Sequence, residues 1–181
     1  MITDIEFTQI NKMINANRSS VVTLGVKSAL TLFAILIATV IIHESAHYIT
    51  AILLGIPIAH FDPLDPNYFA PTLVSSSKDN FTEMTIVSYA GGLFTGILLL
   101  SVLLFRWNLF KQSLYRWFLG LYLATFGAWQ ISQGILEGAF HQAYITNATS
   151  LLFSPTHYIG YASAFLAMFT YWLLMPRLRE L

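Results

Sequence analysis

The chain has 181 residues, 56% of them hydrophobic and only 10% charged, against the roughly 25% charged residues of an average soluble domain. An ordinary soluble protein is excluded on that ground, and the balance of nine Lys+Arg against nine Asp+Glu leaves no basic field to hold a nucleic acid. The absence of cysteine excludes disulfide scaffolds, thiolate metal sites and thiol nucleophiles, so any metal must be held by His, Asp or Glu.

In chain order, residues 1–27 form an arm whose Ile2, Ile5, Phe7, Ile10, Met13 and Ile14 have a loosely helical apolar spacing suited to a membrane surface. Four stretches follow, 28–56, 83–105, 114–136 and 158–175, each able to supply most or all of the roughly 20 apolar helical residues that cross a bilayer core. The expected fold class is therefore an all-α membrane protein with about four transmembrane helices. One transmembrane domain over 28–176 would stand between the arm and a short tail, 177–181. The first stretch is too long for a secretory signal and is expected to remain in the mature protein.

Basic residues alternate along the chain. Lys12, Arg18 and Lys27 precede the first stretch, Arg106, Lys111 and Arg116 follow the second, and Arg177 and Arg179 end the chain. The opposite side has Lys78 alone, so both termini are expected in the cytoplasm. Trp107, Tyr115, Trp117, Trp129 and Tyr158 lie near the ends of the predicted helices, as interface anchors or as packing between helices. Pro57, Pro63, Pro66 and Pro71 predict an extended loop over 57–82, which also carries Asp62, Asp65 and a Ser75-Ser76-Ser77 run.

Within the first span stands His43-Glu44-Ser45-Ala46-His47. Four residues of α-helix return the chain to within about 40° of its starting direction, so both imidazoles can reach one ion. Glu44, at the edge of that face, is placed to act as general base on a metal-bound water. Three ionisable side chains within five residues are costly at bilayer depth, which favours a metal site over packing, helix-to-helix hydrogen bonding or haem ligation. Two ligands one turn apart on one helix cannot take opposite axial positions on a haem.

A hydrolytic zinc usually has three protein ligands and a water, so a third ligand must come from elsewhere. In the third span, Gln130, Gln133, Glu137 and His141 form a polar stripe, and Glu137 is the only acidic residue between Glu83 and Glu180. Zn2+ with two neutral histidines and ionised Glu44 and Glu137 would make a neutral cluster, the cheapest to bury. Glu137 is the first expectation for the third ligand; His141, His60, Asp62 and Asp65 are its rivals. With the first span drawn to residue 56, His47 and Glu137 differ in depth by about 13 Å, requiring tilt, a kink or local unwinding at Gly134 and Gly138. In the second span, Ser88, Gly92 and Gly96 make a small-residue face for close helix packing.

Taken together, the pattern resembles the site-2 protease group of intramembrane zinc metalloproteases, most closely its minimal single-domain members. His43-Glu44-Ser45-Ala46-His47 is similar to that family's zinc-binding helix, Ala90-Gly91-Gly92 to its small-residue motif, and Leu136-Glu137-Gly138 to its Leu-Asp-Gly motif. Gly92 stands where the family often has proline, Glu137 where it has aspartate, and the usual Asn-Pro pair is absent. The family's sites generally open toward the cytosol, whereas the charge alternation here puts the site in the outer half.

The resemblance implies zinc held by His43, His47 and Glu137, Glu44 as general base, and peptide-bond hydrolysis in membrane-protein or peptide substrates, with the 57–82 loop offering a strand edge. A lipid amide or ester hydrolase, a non-catalytic metal-binding or transport module, and a proteolytically dead scaffold are the alternative expectations.

Overall fold

A computed structural model describes residues 4–62, 72–75, 81–139 and 155–174. Side chains at 4–18, 59–60, 62, 72–75, 81 and 155–157 are not described. Among the described residues the protein is helical, with five helices and one two-stranded ribbon: α1 Asp4–Leu53, β1 Ile58–Asp62, β2 Thr72–Ser75, α2 Phe81–Phe105, α3 Trp107–Phe110, α4 Leu114–Ala139 and α5 Pro155–Leu174.

Two segments, Ser19–Leu53 and Thr82–Phe105, are long and apolar enough to cross a membrane, and Tyr158–Leu174 is a shorter apolar helix. Much of their apolar surface faces outward: Val21, Leu30, Phe33, Leu53, Phe94, Leu104 and Leu166 are all exposed. An outward-facing apolar surface of this extent marks an interaction face or a lipid-facing one. α1 runs without a break from the arm into the first apolar segment.

α1 stops where its sequence tells it to. Gly55 has φ 71°, a left-handed conformation that costs glycine nothing. Its N–H donates to the Ile52 carbonyl at 3.0 Å, and the Ile56 N–H donates to that of Ala51 at 2.9 Å. This pair of bonds is a Schellman cap, and Ala51 and Ile56 are both buried in a small cluster with Val87 of α2. The helix thus ends six residues after His47, while α4 continues to Ala139, two residues past Glu137. The expected depth mismatch of about 13 Å falls to about 6 Å at 1.5 Å per residue.

The chain then turns back as an antiparallel ribbon, Ile58 opposite Ser75 and Asp62 opposite Thr72, with an irregularity between Ile58 and His60. The extended geometry expected of this loop is present in the two strands. Phe61 stacks on Tyr48 of α1 with ring centroids 4.4 Å apart, so the ribbon lies against the C-terminal end of α1.

α2 and α4 form the tightest pair. A Cβ on Gly92 would meet the backbone of Gln130 and Gly134, and one on Gly96 would meet Gly127 and Ile131. The small-residue face expected on α2 is therefore used, with α4 as its partner, and α4 answers it with Gly127 and Gly134. Gly134 and Gly138 serve this close approach, Gly138 against the Tyr89 ring, and α4 remains helical through both.

At the other end of the same helices, Leu99, Leu103, Phe110, Trp117, Leu123, Ala124 and Tyr171 make the main apolar cluster. The Tyr171 hydroxyl donates to the Trp117 carbonyl at 3.1 Å. α5 also docks on α4 through Ser132, whose hydroxyl donates to Ser163 at 2.7 Å. Trp117 is almost completely buried, so it packs between helices, the second of the two roles its position allowed.

Candidate metal centre

The site is built on three helices. α1 contributes His43, Glu44 and His47 from one side, α2 supplies a glycine surface, and α4 brings Gln130 and Glu137. His43 and His47 are one turn apart, and their Nε2 atoms are 2.9 Å from each other. Side-chain ligand atoms of His43, Glu44 and His47 all lie within 4.8 Å of one another, a group that could hold a metal ion.

Close approach of the imidazoles to α2 depends on Gly91. A Cβ there would run into the His47 ring and the Cδ2 of His43. Neighbouring glycines thus do separate jobs, Gly91 making room for the histidines and Gly92 for α4.

Each histidine has its outer nitrogen fixed. The Nδ1 of His47 lies 2.6 Å from the Val87 carbonyl, an acceptor only, so Nδ1 carries the proton and donates. His43 donates its Nδ1–H to Gln130 Oε1, also at 2.6 Å. With both Nδ1 atoms protonated, the neutral rings point their Nε2 lone pairs into the same small volume. Glu137 faces that volume too: its Oε2 is 3.4 Å from His43 Nε2 and 3.6 Å from His47 Nε2.

Two lone pairs and a carboxylate oxygen converging in this way repel one another unless a cation or proton stands between them. For zinc bound tetrahedrally at about 2.0–2.1 Å, ligand atoms should be separated by roughly 3.3 Å. The observed 2.9, 3.4 and 3.6 Å bracket that value. The donor set, two imidazoles and a carboxylate, is one that zinc accepts. Glu44 Oε1 is 3.8 Å from His43 Nε2, outside the tightest trio and beside it.

Of the residues singled out in the sequence, the fold brings His43, Glu44, His47 and Glu137 together. His141 and Asp65 lie outside the described residues, and His60 and Asp62 fall in β1 with their side chains not described. Gln130 belonged to the expected polar stripe, but its bond to His43 was not foreseen. The signal was its spacing of two helical turns from Glu137. The Val87 carbonyl leaves no trace in a side-chain pattern at all. Comparison of the chain with protein-family models, curated proteins and solved structures finds no match to any of them.

Proposed function

We propose that the protein is an intramembrane zinc metalloprotease, spanning the bilayer about four times with both termini in the cytoplasm and holding zinc through His43, His47 and Glu137. The observation that supports this best is the convergence of two Nε2 lone pairs on the Glu137 carboxylate, with both outer nitrogens already engaged by Gln130 and Val87. Resemblance of the His43–His47 segment, the Ala90-Gly91-Gly92 segment of α2 and Leu136-Glu137-Gly138 to the site-2 protease group gives the reaction class.

A zinc ion held there would polarise a scissile carbonyl and lower the pKa of a bound water. Glu44, adjacent to the ligand trio on α1, would serve as the general base, taking a proton from the attacking water and passing it to the leaving amine. Gln130 and the Val87 carbonyl engage the Nδ1 atoms of His43 and His47, which orients both rings and leaves each Nε2 as the atom that would ligate. Packing of α1 against α2 limits water around these groups, which strengthens each electrostatic contact. A substrate segment must be extended for its carbonyl to be reached, and the β1–β2 ribbon beside Tyr48 is the nearest strand pair able to hold one.

The test uses purified full-length protein in detergent micelles, given a panel of membrane-spanning peptides and, separately, lipid amides and esters. The expected result is peptide cleavage that a zinc chelator stops and added zinc restores. Turnover of the lipids with no peptide cleavage would overturn the protease reading.

A further inference from the structure

α1 and α4 touch at two levels. Near the metal centre His43 meets Gln130. At the opposite end the Thr31 hydroxyl, donating to the Lys27 carbonyl at 2.8 Å, accepts a hydrogen bond from the Tyr115 hydroxyl at 2.6 Å. The Lys27 ammonium sits 4.2 Å from the centre of the same Tyr115 ring. Along α1 from this second contact runs a groove of about 490 Å³, lined by Lys27, Thr31, Ala34, Ile35, Ala38 and Tyr115. The recess exists because Ala34 and Ala38, one turn apart, present only methyl groups.

Three features of the groove specify what fits it. Its floor is apolar below the Thr31–Tyr115 contact. From Lys27 to Ala38 the helix rises about 17 Å, close to half of a hydrocarbon core about 30 Å thick, so the groove has the depth of one leaflet. Its mouth is cationic: the Lys27 ammonium stands there, and among the described residues no carboxylate pairs with it. A recess in hydrocarbon that no side chain fills forfeits dispersion contacts along its whole wall. An acyl chain restores them, and an unpaired ammonium at the mouth selects a lipid with negative charge at headgroup level.

We propose that this groove binds one anionic phospholipid of the leaflet on the Lys27 side, its phosphate on the Lys27 ammonium and one acyl chain against Ala34 and Ala38. The inference rests on the membrane-spanning reading and is independent of the hydrolytic one. The lipid lies between the helix that carries both histidines and the helix that brings Glu137, and so fills a seam that neither helix closes.

The experiment is native mass spectrometry of the full-length protein from mixed micelles holding equal amounts of dioleoylphosphatidylglycerol and dioleoylphosphatidylcholine. Wild type is expected to retain the anionic lipid in preference to the zwitterionic one. Lys27→Gln should lower that preference about fivefold, the effect of one lysine near an anionic surface, and Lys27→Arg should keep it. Filling the groove with Ala34→Leu plus Ala38→Leu should reduce retention of both lipids, with helical content by circular dichroism unchanged. Lys111→Gln, which alters the same side of the membrane outside the groove, should leave the preference intact. A preference that survives Lys27→Gln, or that Lys111→Gln lowers as much, would overturn the proposal, as would undiminished lipid retention in the groove-filled variant.

Discussion

At one end of the bundle α1, α2 and α4 converge on two histidines, two glutamates and a glutamine; at the other, α2, α3, α4 and α5 close around Trp117, Phe110, Tyr171 and their leucine neighbours. Both ends rely on glycine to bring elements close, but toward different ends. At the aromatic end Gly120 admits the Tyr171 side chain, so that ring packing and one hydroxyl-to-carbonyl bond tie α5 to α4. At the polar end Gly91 admits the imidazoles, and Gly92 with Gly134 sets the α2–α4 distance that puts Glu137 within reach of them. The first arrangement resists unfolding. The second holds two imidazole nitrogens and a carboxylate oxygen together at a cost that a cation or proton between them offsets, the kind of local conflict that marks a candidate functional site.

That comparison can be broken most sharply at Glu44. Replacing it with glutamine should leave zinc content unchanged and reduce hydrolysis by about 10³-fold, within the usual range for losing a general base; zinc analysis and a peptide-cleavage assay on the same preparation check both halves. At the other end, Trp117→Ala should lower unfolding stability by about 3 kcal/mol, the scale of emptying a large buried ring, with zinc per chain unaffected when the folded fraction is measured. Gly134→Leu tests the link between the ends. It forces α4 away from the α2 backbone, and overpacking of this kind should cost about 2 kcal/mol while also weakening zinc binding, visible as a joint shift in melting temperature and zinc dissociation constant. The smallest effect is expected at Gln130. Changing it to leucine removes the acceptor that orients His43 and should weaken zinc about tenfold, with little change in the unfolding curve.

Much of this was legible in the sequence because helical periodicity is local. The four-residue spacing of His43 and His47 places them on one face whatever the helix packs against, and Glu137 stood out as an isolated carboxylate in an apolar segment. The two longest apolar helices could be read from length alone. What periodicity does not contain is the register between helices. The end of α1 depended on a capping geometry at Gly55 rather than on hydropathy, which carried the expected helix three residues too far. The same missing register hid the separate duties of Gly91 and Gly92, which follow from α1 and α4 packing on adjoining faces of α2. Gln130 and the Val87 carbonyl were hidden for a related reason: an outer partner of a histidine is defined by distance across a helix interface, and no sequence spacing records that.

Bound zinc per chain decides whether His43, His47 and Glu137 together hold a metal. Detergent-purified, metal-replete wild type should hold about one zinc, the occupancy of a three-ligand site, and His43→Ala and Glu137→Ala should each lose it. Zinc retained in Glu137→Ala, or none in wild type, would contradict it.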